Sequence, residues 1–310
     1  MGIIFKVFRE RTNIVIWDLD PVFIYLPDFL GGREIRYYGL LYAVALMGGF
    51  YFWQWQILRS KRSQEQADRI LGMGVAAVIV GARVGHCLFY SPEYYLSNPF
   101  EIIKVWEGGL ASHGSTIALI MILIYYAKTE SMTIREVFDR FSVSVAWAAS
   151  IIRLGNLMNS EIVGRTTDAP WGFKFPFHDR VSLNKCICEG QNVADTCIST
   201  IKGCADLTLV PTRHPSQIYE FIMGMIVFTV LLLVDRKYGE NRPLGLMGGL
   251  VLLLYFTGRF IVEFFKQQQV FDGNLDMGHY LSIPFALIGL AMVLYALKYP
   301  NNNKQASTNP

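Results

Sequence analysis

The stretch YYGLLYAVALMGGFYFWQWQIL, Tyr37 to Leu58, contains no charged side chain. As a helix rising about 1.5 Å per residue it would cover about 33 Å, and the hydrocarbon core of a bilayer is about 30 Å thick. No water is present in that core, so a crossing segment must satisfy its own backbone hydrogen bonds, as a helix does. Working outward, further apolar segments of comparable length lie near 70–90, 109–127, 137–158, 216–234, 244–265 and 279–298. Composition agrees with this. Of the 310 residues, 52% are hydrophobic and 17% charged, whereas about a quarter are charged in soluble domains. The expected fold class is an all-α membrane protein with seven transmembrane helices over residues 37–298. A net charge of +3 is too small to suggest a nucleic-acid partner.

Basic residues in short loops set the expected orientation, because they remain on the cytoplasmic side. Arg59, Lys61, Arg62 and Arg69 follow the first span, Lys128, Arg135 and Arg140 the third, and Arg236, Lys237 and Arg242 the fifth. The loop after the second span offers Lys104 against Glu93, Glu101 and Glu107. The N-terminus and an irregular 159–215 segment between spans 4 and 5 are therefore expected outside, and the C-terminus inside. MGIIFKVFRERTN shows no small-residue cleavage site, so residues 1–36 read as an outer arm and the first span as the insertion signal. Residues 299–310 are polar and read as a disordered cytoplasmic tail. Cys186, Cys188, Cys197 and Cys204 all fall in the outer segment. An oxidising compartment makes them two disulfides with three possible pairings; zinc is the alternative, although their spacing lacks C-x2-C units.

An ionisable residue within a span is costly and signals function by default. With the orientation fixed, Arg83, His86, His113, Arg153, Asn156, Asn159, Glu220, Arg259 and Glu263 all fall toward the outer side, with Tyr38 at the same level. The inner halves of the spans carry almost none. Each residue also has a plainer reading. Arg259 and Glu263 stand four apart and would neutralise each other; Arg83 would snorkel; His113, within GGLASHGS, would bond a neighbouring helix where small residues allow close approach. The run RLGNLMNSEIVGR, Arg153 to Arg165, is not asked for by packing. Arginines at that depth suit a phosphate, Asn156, Asn159 and Glu161 suit hydroxyls, and His113 suits a proton transfer near neutral pH.

That run resembles the signature of prolipoprotein diacylglyceryl transferases. The resemblance continues, in order, through YYGLLY (37–42), GARVGHCLFY (81–90), GGLASHG (108–114), RHPSQIYE (213–220) and GRFIVEFF (258–265). It implies a bacterial inner-membrane enzyme with a periplasmic active site and no metal or cofactor. Its reaction moves the diacylglyceryl group of phosphatidylglycerol onto the lipobox cysteine in a prolipoprotein signal peptide, releasing glycerol phosphate. By matching positions, Arg153 and Arg259 would hold the lipid phosphate, Asn156, Glu161 and Gly164 belong to the headgroup signature, Glu263 would orient Arg259, Tyr38 would bond the lipid, and His113 is the candidate base. The sequence departs from the family pattern at Ser115 and Ser160, where glycine is usual. At position 160 a positive φ would be harder for serine.

Overall fold

The computed structural model describes residues 7–9, 14–27, 29, 32–105, 109, 111–182, 210–267 and 275–300. Every segment read as a span is helical: α1 Tyr37–Leu58, α2 Gln64–Phe89, α4 Ser112–Thr129, α5 Ile134–Met158, α7 Ser216–Tyr238, α8 Leu246–Glu263 and α9 Met277–Lys298. Short helices α3 Pro92–Ser97 and α6 Pro176–Ser182 are also found among the described residues. Five helices, Gln64–Phe89, Ile134–Met158, Ser216–Asn241, Leu246–Glu263 and Met277–Lys298, are long and apolar enough to cross a membrane. The glutamines, tyrosines and tryptophans of α1 and the SHGST opening of α4 dilute the hydropathy of the other two. The cysteines at 186, 188, 197 and 204 and the tail from 301 onward lie outside the described residues.

The all-α expectation needs correcting. Strands β1 Val7–Arg9, β2 Val15–Trp17, β5 Phe173–Lys174 and β6 Thr212–Arg213 form one sheet in that order, and β3 Val22–Tyr25 pairs with β4 Glu34–Arg36. The arm and the outer segment are therefore paired to each other, β2 lying parallel to β5. Strands of two to four residues carry too few positions to show the alternation by which a strand is read.

Two compact units divide the chain. The first comprises Met1–Gly48, Ala146–Val230 and Val251–Gly289. Its sheet covers a core of Leu157, Val163 and Phe175, packed by Trp17, Phe173 and Ile218, and the Trp17 indole donates to the Leu157 carbonyl at 3.0 Å. Backbone crowds together at Gly164. Its N–H donates to the His214 carbonyl at 3.0 Å while Arg165 N–H donates to that of Phe265 at 2.8 Å. A Cβ at 164 would lie 2.4 Å from the His214 oxygen and 2.6 Å from the Phe265 oxygen, so only glycine fits between these backbone segments.

The second unit comprises Gly49–Val145, Leu231–Leu250 and Leu290–Pro310. Ser63 and Gln66 form a capping box that starts α2. Small residues then let α2 and α4 touch: a Cβ on Gly81 would meet Ala118 Cβ at 2.5 Å, and one on Gly114 would meet the Gly81 oxygen at 2.2 Å. Ser115 keeps this seam, its hydroxyl donating to the Val78 carbonyl at 2.8 Å. Trp53, Ile57, Leu123 and Tyr126 pack the core beside it.

Buried charge is not confined to the first unit. Asp235, 1% exposed, accepts from Gln56 at 3.1 Å and Arg242 at 2.6 Å and pairs with Arg59. Arg140 joins Glu136 at 2.9 Å and Glu240 at 2.8 Å. The Asp139 carboxylate accepts from Gly245 and Gly248 N–H at 2.6 and 2.8 Å, capping α8 from α5. Arg59, Arg140 and Arg242, read above as topology signals, thus serve as packing partners.

Candidate functional site

The first unit gathers one polar group around the end of α5. Arg153 and Asn156 share a helix face three residues apart, and Arg153 Nη1 donates to Asn156 Oδ1 at 3.3 Å. Asn156 Nδ2 donates to Glu161 Oε1 at 2.7 Å, with Asn159 Nδ2 at 3.5 Å from the same oxygen. Tyr38 and Tyr255 lie beside the Arg153 guanidinium, and Tyr38 faces Glu161 too. The Tyr38 ring closes over Gly155, where a Cβ would approach it at 2.9 Å.

The turn carrying Glu161 is strained. Ser160 and Ile162 have φ of 52° and 55°, in the left-handed region that costs non-glycine residues of order 1–3 kcal/mol each. Three successive carbonyls are held by side chains that offset this cost. His178 Nδ1 lies 3.1 Å from the Ser160 oxygen, Gln217 Nε2 donates to Glu161 at 2.7 Å, and Ser216 Oγ to Ile162 at 2.7 Å. Burial, with the Arg213 charge, holds His178 below the ordinary histidine range despite the opposing pull of Asp179. Burial also lowers His214, whose Nδ1 lies 3.0 Å from the Tyr219 hydroxyl.

Beyond Arg153 runs a chain of buried charges. Glu220, 2% exposed, sets Oε2 3.2 Å from Arg153 Nε and Oε1 2.9 Å from Lys266 Nζ. The first contact has ion-pair distance without hydrogen-bond alignment. Lys266 Nζ also stands 3.4 Å from Glu263 Oε2. The expected Glu263–Arg259 pairing is not found among the described residues, because Lys266, one turn on, takes that carboxylate. Arg165 leans outward, its Nε donating to the Lys266 carbonyl at 2.8 Å and its Nη2 3.6 Å from Asp276.

Two candidates stand in the second unit. His113 opens α4 with an exposed ring against Phe89 and Tyr90, centroids 5.2 and 5.8 Å away. Arg83 does not snorkel. It is buried, donating to the carbonyls of Ile102 at 2.9 Å, Glu101 at 2.5 Å and Gly109 at 3.4 Å, with Tyr95 against its face at 5.1 Å. It ties down the loop between α2 and α4.

The first unit thus unites Arg153, Asn156, Glu161 and Tyr38, as the sequence suggested, and adds Glu220, Lys266 and Tyr255. Glu220 was legible only as a costly charge. Lys266 gave no signal, since FFKQQQ reads as an ordinary basic flank, and Tyr255 passes for an apolar-span aromatic. A guanidinium anchored on one edge by a carboxylate and on another by an amide, with phenols beside it, is equipped to hold an oxyanion and its neighbouring hydroxyls.

Comparison with known proteins gives a concordant result. The sequence model of the family described as prolipoprotein diacylglyceryl transferase matches residues 25–295. A phosphatidylglycerol–prolipoprotein diacylglyceryl transferase of Chloroherpeton thalassium is 33% identical over 293 residues, covering 93% of this chain and 97% of the relative. One from Porphyromonas gingivalis is 36% identical over 304 residues, covering 94% and 97%. Another, from Yersinia enterocolitica, is 35% identical and covers 91% and 94%.

Proposed function

The chain belongs to the prolipoprotein diacylglyceryl transferase family, and from that premise we propose how it works. It is a multi-pass membrane transferase of lipoprotein maturation, and it moves the diacylglyceryl group of phosphatidylglycerol to prolipoprotein. The acceptor is the lipobox cysteine thiol of the signal peptide. The thiol gives up its proton, sulfur bonds to the glyceryl carbon bearing the phosphate ester, that C–O bond breaks, and glycerol phosphate departs with the electron pair. The phosphate enters as a diester with one negative charge and leaves as a monoester carrying about −1.5 to −2. Fixed cations aimed at charge that develops in the transition state are usually the largest catalytic term.

The observation that carries this reading is the clustering of Arg153 with Tyr38, Asn156 and Glu161 at one helix end. Arg153 and Arg259 hold the phosphate and stabilise its leaving form. Asn156, Glu161 and Tyr38 bind around the headgroup. Gly164 contributes by letting three backbone segments close beneath that turn. Glu263 serves through Lys266, the partner it is seen with. His113 takes the thiol proton, a role assigned on its chemistry and on its motif, since a free thiol with a pKa near 8.5 is mostly protonated at neutral pH.

Seven spans, with the N-terminus outside a bacterial inner membrane and the active site periplasmic, accord with strand pairing. Because β2 pairs with β5, residues 15–17 and 173–174 share one side of the membrane. The number of crossings separating them is then even. Helices α2 and α5 supply two, so α1 and α4 either both cross or both do not. A charge-free α1 favours crossing, and α4 follows. The test of function is direct: purified protein, labelled phosphatidylglycerol and a lipobox peptide yield a thioether-linked product and glycerol phosphate. Lipid binding without that product would replace the transferase reading with a carrier.

A further inference from the structure

Arg153 shares its carboxylate with a second cation. A buried arginine paired to a glutamate of its own is largely neutralised and makes a poor receptor for phosphate. Here Glu220 divides its two oxygens, Oε2 at 3.2 Å from Arg153 Nε and Oε1 at 2.9 Å from Lys266 Nζ. Two cations thus share the Glu220 carboxylate, and Lys266 Nζ reaches Glu263 Oε2 at 3.4 Å on its other side. The Glu220 side chain is 1% exposed and that of Lys266 11%, so solvent screens these interactions little. The closer bond of Glu220 is to Lys266, and its contact with Arg153 lacks hydrogen-bond alignment.

Resting on the transferase reading, we propose that Lys266 and Glu220 form a positioning pair for Arg153. Glu220 fixes the Nε edge of the guanidinium, and Lys266 keeps Glu220 from drawing that guanidinium away from the lipid phosphate. Asn156 holds Nη1 of the same guanidinium at 3.3 Å, so the group is fixed on two edges for the anion. Neither partner need touch substrate.

The pair is tested on the purified full chain in detergent. Lys266→Met removes the charge at similar length, and Lys266→Arg retains it. Lys266→Met is expected to raise the KM for phosphatidylglycerol at least tenfold and leave the KM for the lipobox peptide within twofold, with Lys266→Arg restoring the lipid KM to within threefold. Glu220→Gln, which frees Arg153 from its anchor, is expected to lower kcat at least tenfold at unchanged peptide KM. A purely structural role would lower the folded fraction and leave both KM values in place. The proposal is overturned if Lys266→Met keeps its lipid KM, if Lys266→Arg falls as far as Lys266→Met, or if activity merely tracks the amount of folded protein. An unmutated chain that forms no thioether product fails the transferase reading instead. Binding of phosphatidylglycerol alone, weakened by Lys266→Met but not Lys266→Arg, still judges the pair in that event.

Discussion

Replacing Gly164 by alanine separates a packing role from a ligand-binding one. The added methyl would stand 2.4 Å from the His214 oxygen, 2.6 Å from His214 Cβ and 2.6 Å from the Phe265 oxygen. Two of these are backbone atoms of segments that cannot rotate away like a side-chain tip. Overpacking of this kind costs about 1–3 kcal/mol. Opening the junction also loosens the Gly164 N–H bond to His214 and the Arg165 N–H bond to Phe265, at 3.0 and 2.8 Å, about 1 kcal/mol each. The expected penalty is about 3–5 kcal/mol, concentrated in the backbone beneath Glu161 and Arg165. Thermal unfolding in detergent should move down by several degrees, and amide exchange at 164–166 and 213–214 should accelerate, with no lipid present. An unchanged unfolding temperature and unchanged exchange, with lipid binding lost, would refute the packing argument and make Gly164 a direct lipid contact.

Arg153→Ala and Arg259→Ala are each expected to cut transfer by about 10²–10³-fold while the protein still folds; near-normal rates in the lipobox-peptide assay would remove the phosphate clamp from the mechanism. His113→Gln should lose most activity at neutral pH and regain part of it as pH rises toward the free-thiol pKa near 8.5; a flat profile would send the proton elsewhere. Asp235→Ala should lower stability by about 3–5 kcal/mol, because it strands the buried Arg242, read as a lower unfolding temperature. The pH dependence of stability has a defined sign. His178 and His214 are held below their ordinary range in the folded chain, so the unfolded chain binds more protons. Their contribution is complete above an unfolded pKa of about 6.5 and is lost as pH falls toward the lowered folded values. His178→Gln should therefore show a smaller fall in unfolding temperature between pH 7.5 and pH 5.5 than the unmutated protein.

What the sequence revealed follows the range over which each signal acts. Helix positions were legible because a charge-free run such as Tyr37–Leu58 reports its own environment. Arg153, Asn156 and Glu161 were legible as a group because they lie close together in one short run of sequence. Close helix approach was legible in the small residues of GGLASHGS, and the structure identifies the partner as α2 through Gly81 and Gly114. The sheet was not legible, since β2 and β5 stand far apart in the chain and each is too short to show a period. Arg83 misled because a buried guanidinium and a snorkelling one have the same letter; only the carbonyls of Glu101 and Ile102 tell them apart. Arg59, Arg140 and Arg242 were read as topology markers, which hid their second task of binding Asp235, Glu136 and Glu240. Lys266 escaped notice because a lysine just past the end of an apolar run reads as an ordinary basic flank.

The pairing of the N-terminal arm has a consequence for biogenesis. Trp17 reaches Leu157 across a separation of 140 residues, and β2 waits further still for β5. At a synthesis rate of about 5–20 residues per second, about 7–28 s separate the synthesis of Trp17 from that of its partner Leu157 in α5. During that interval only the arm's own hairpins can occupy its backbone donors. The sheet then closes as a late step, once the ribosome has delivered β5, the strand that pairs with β2.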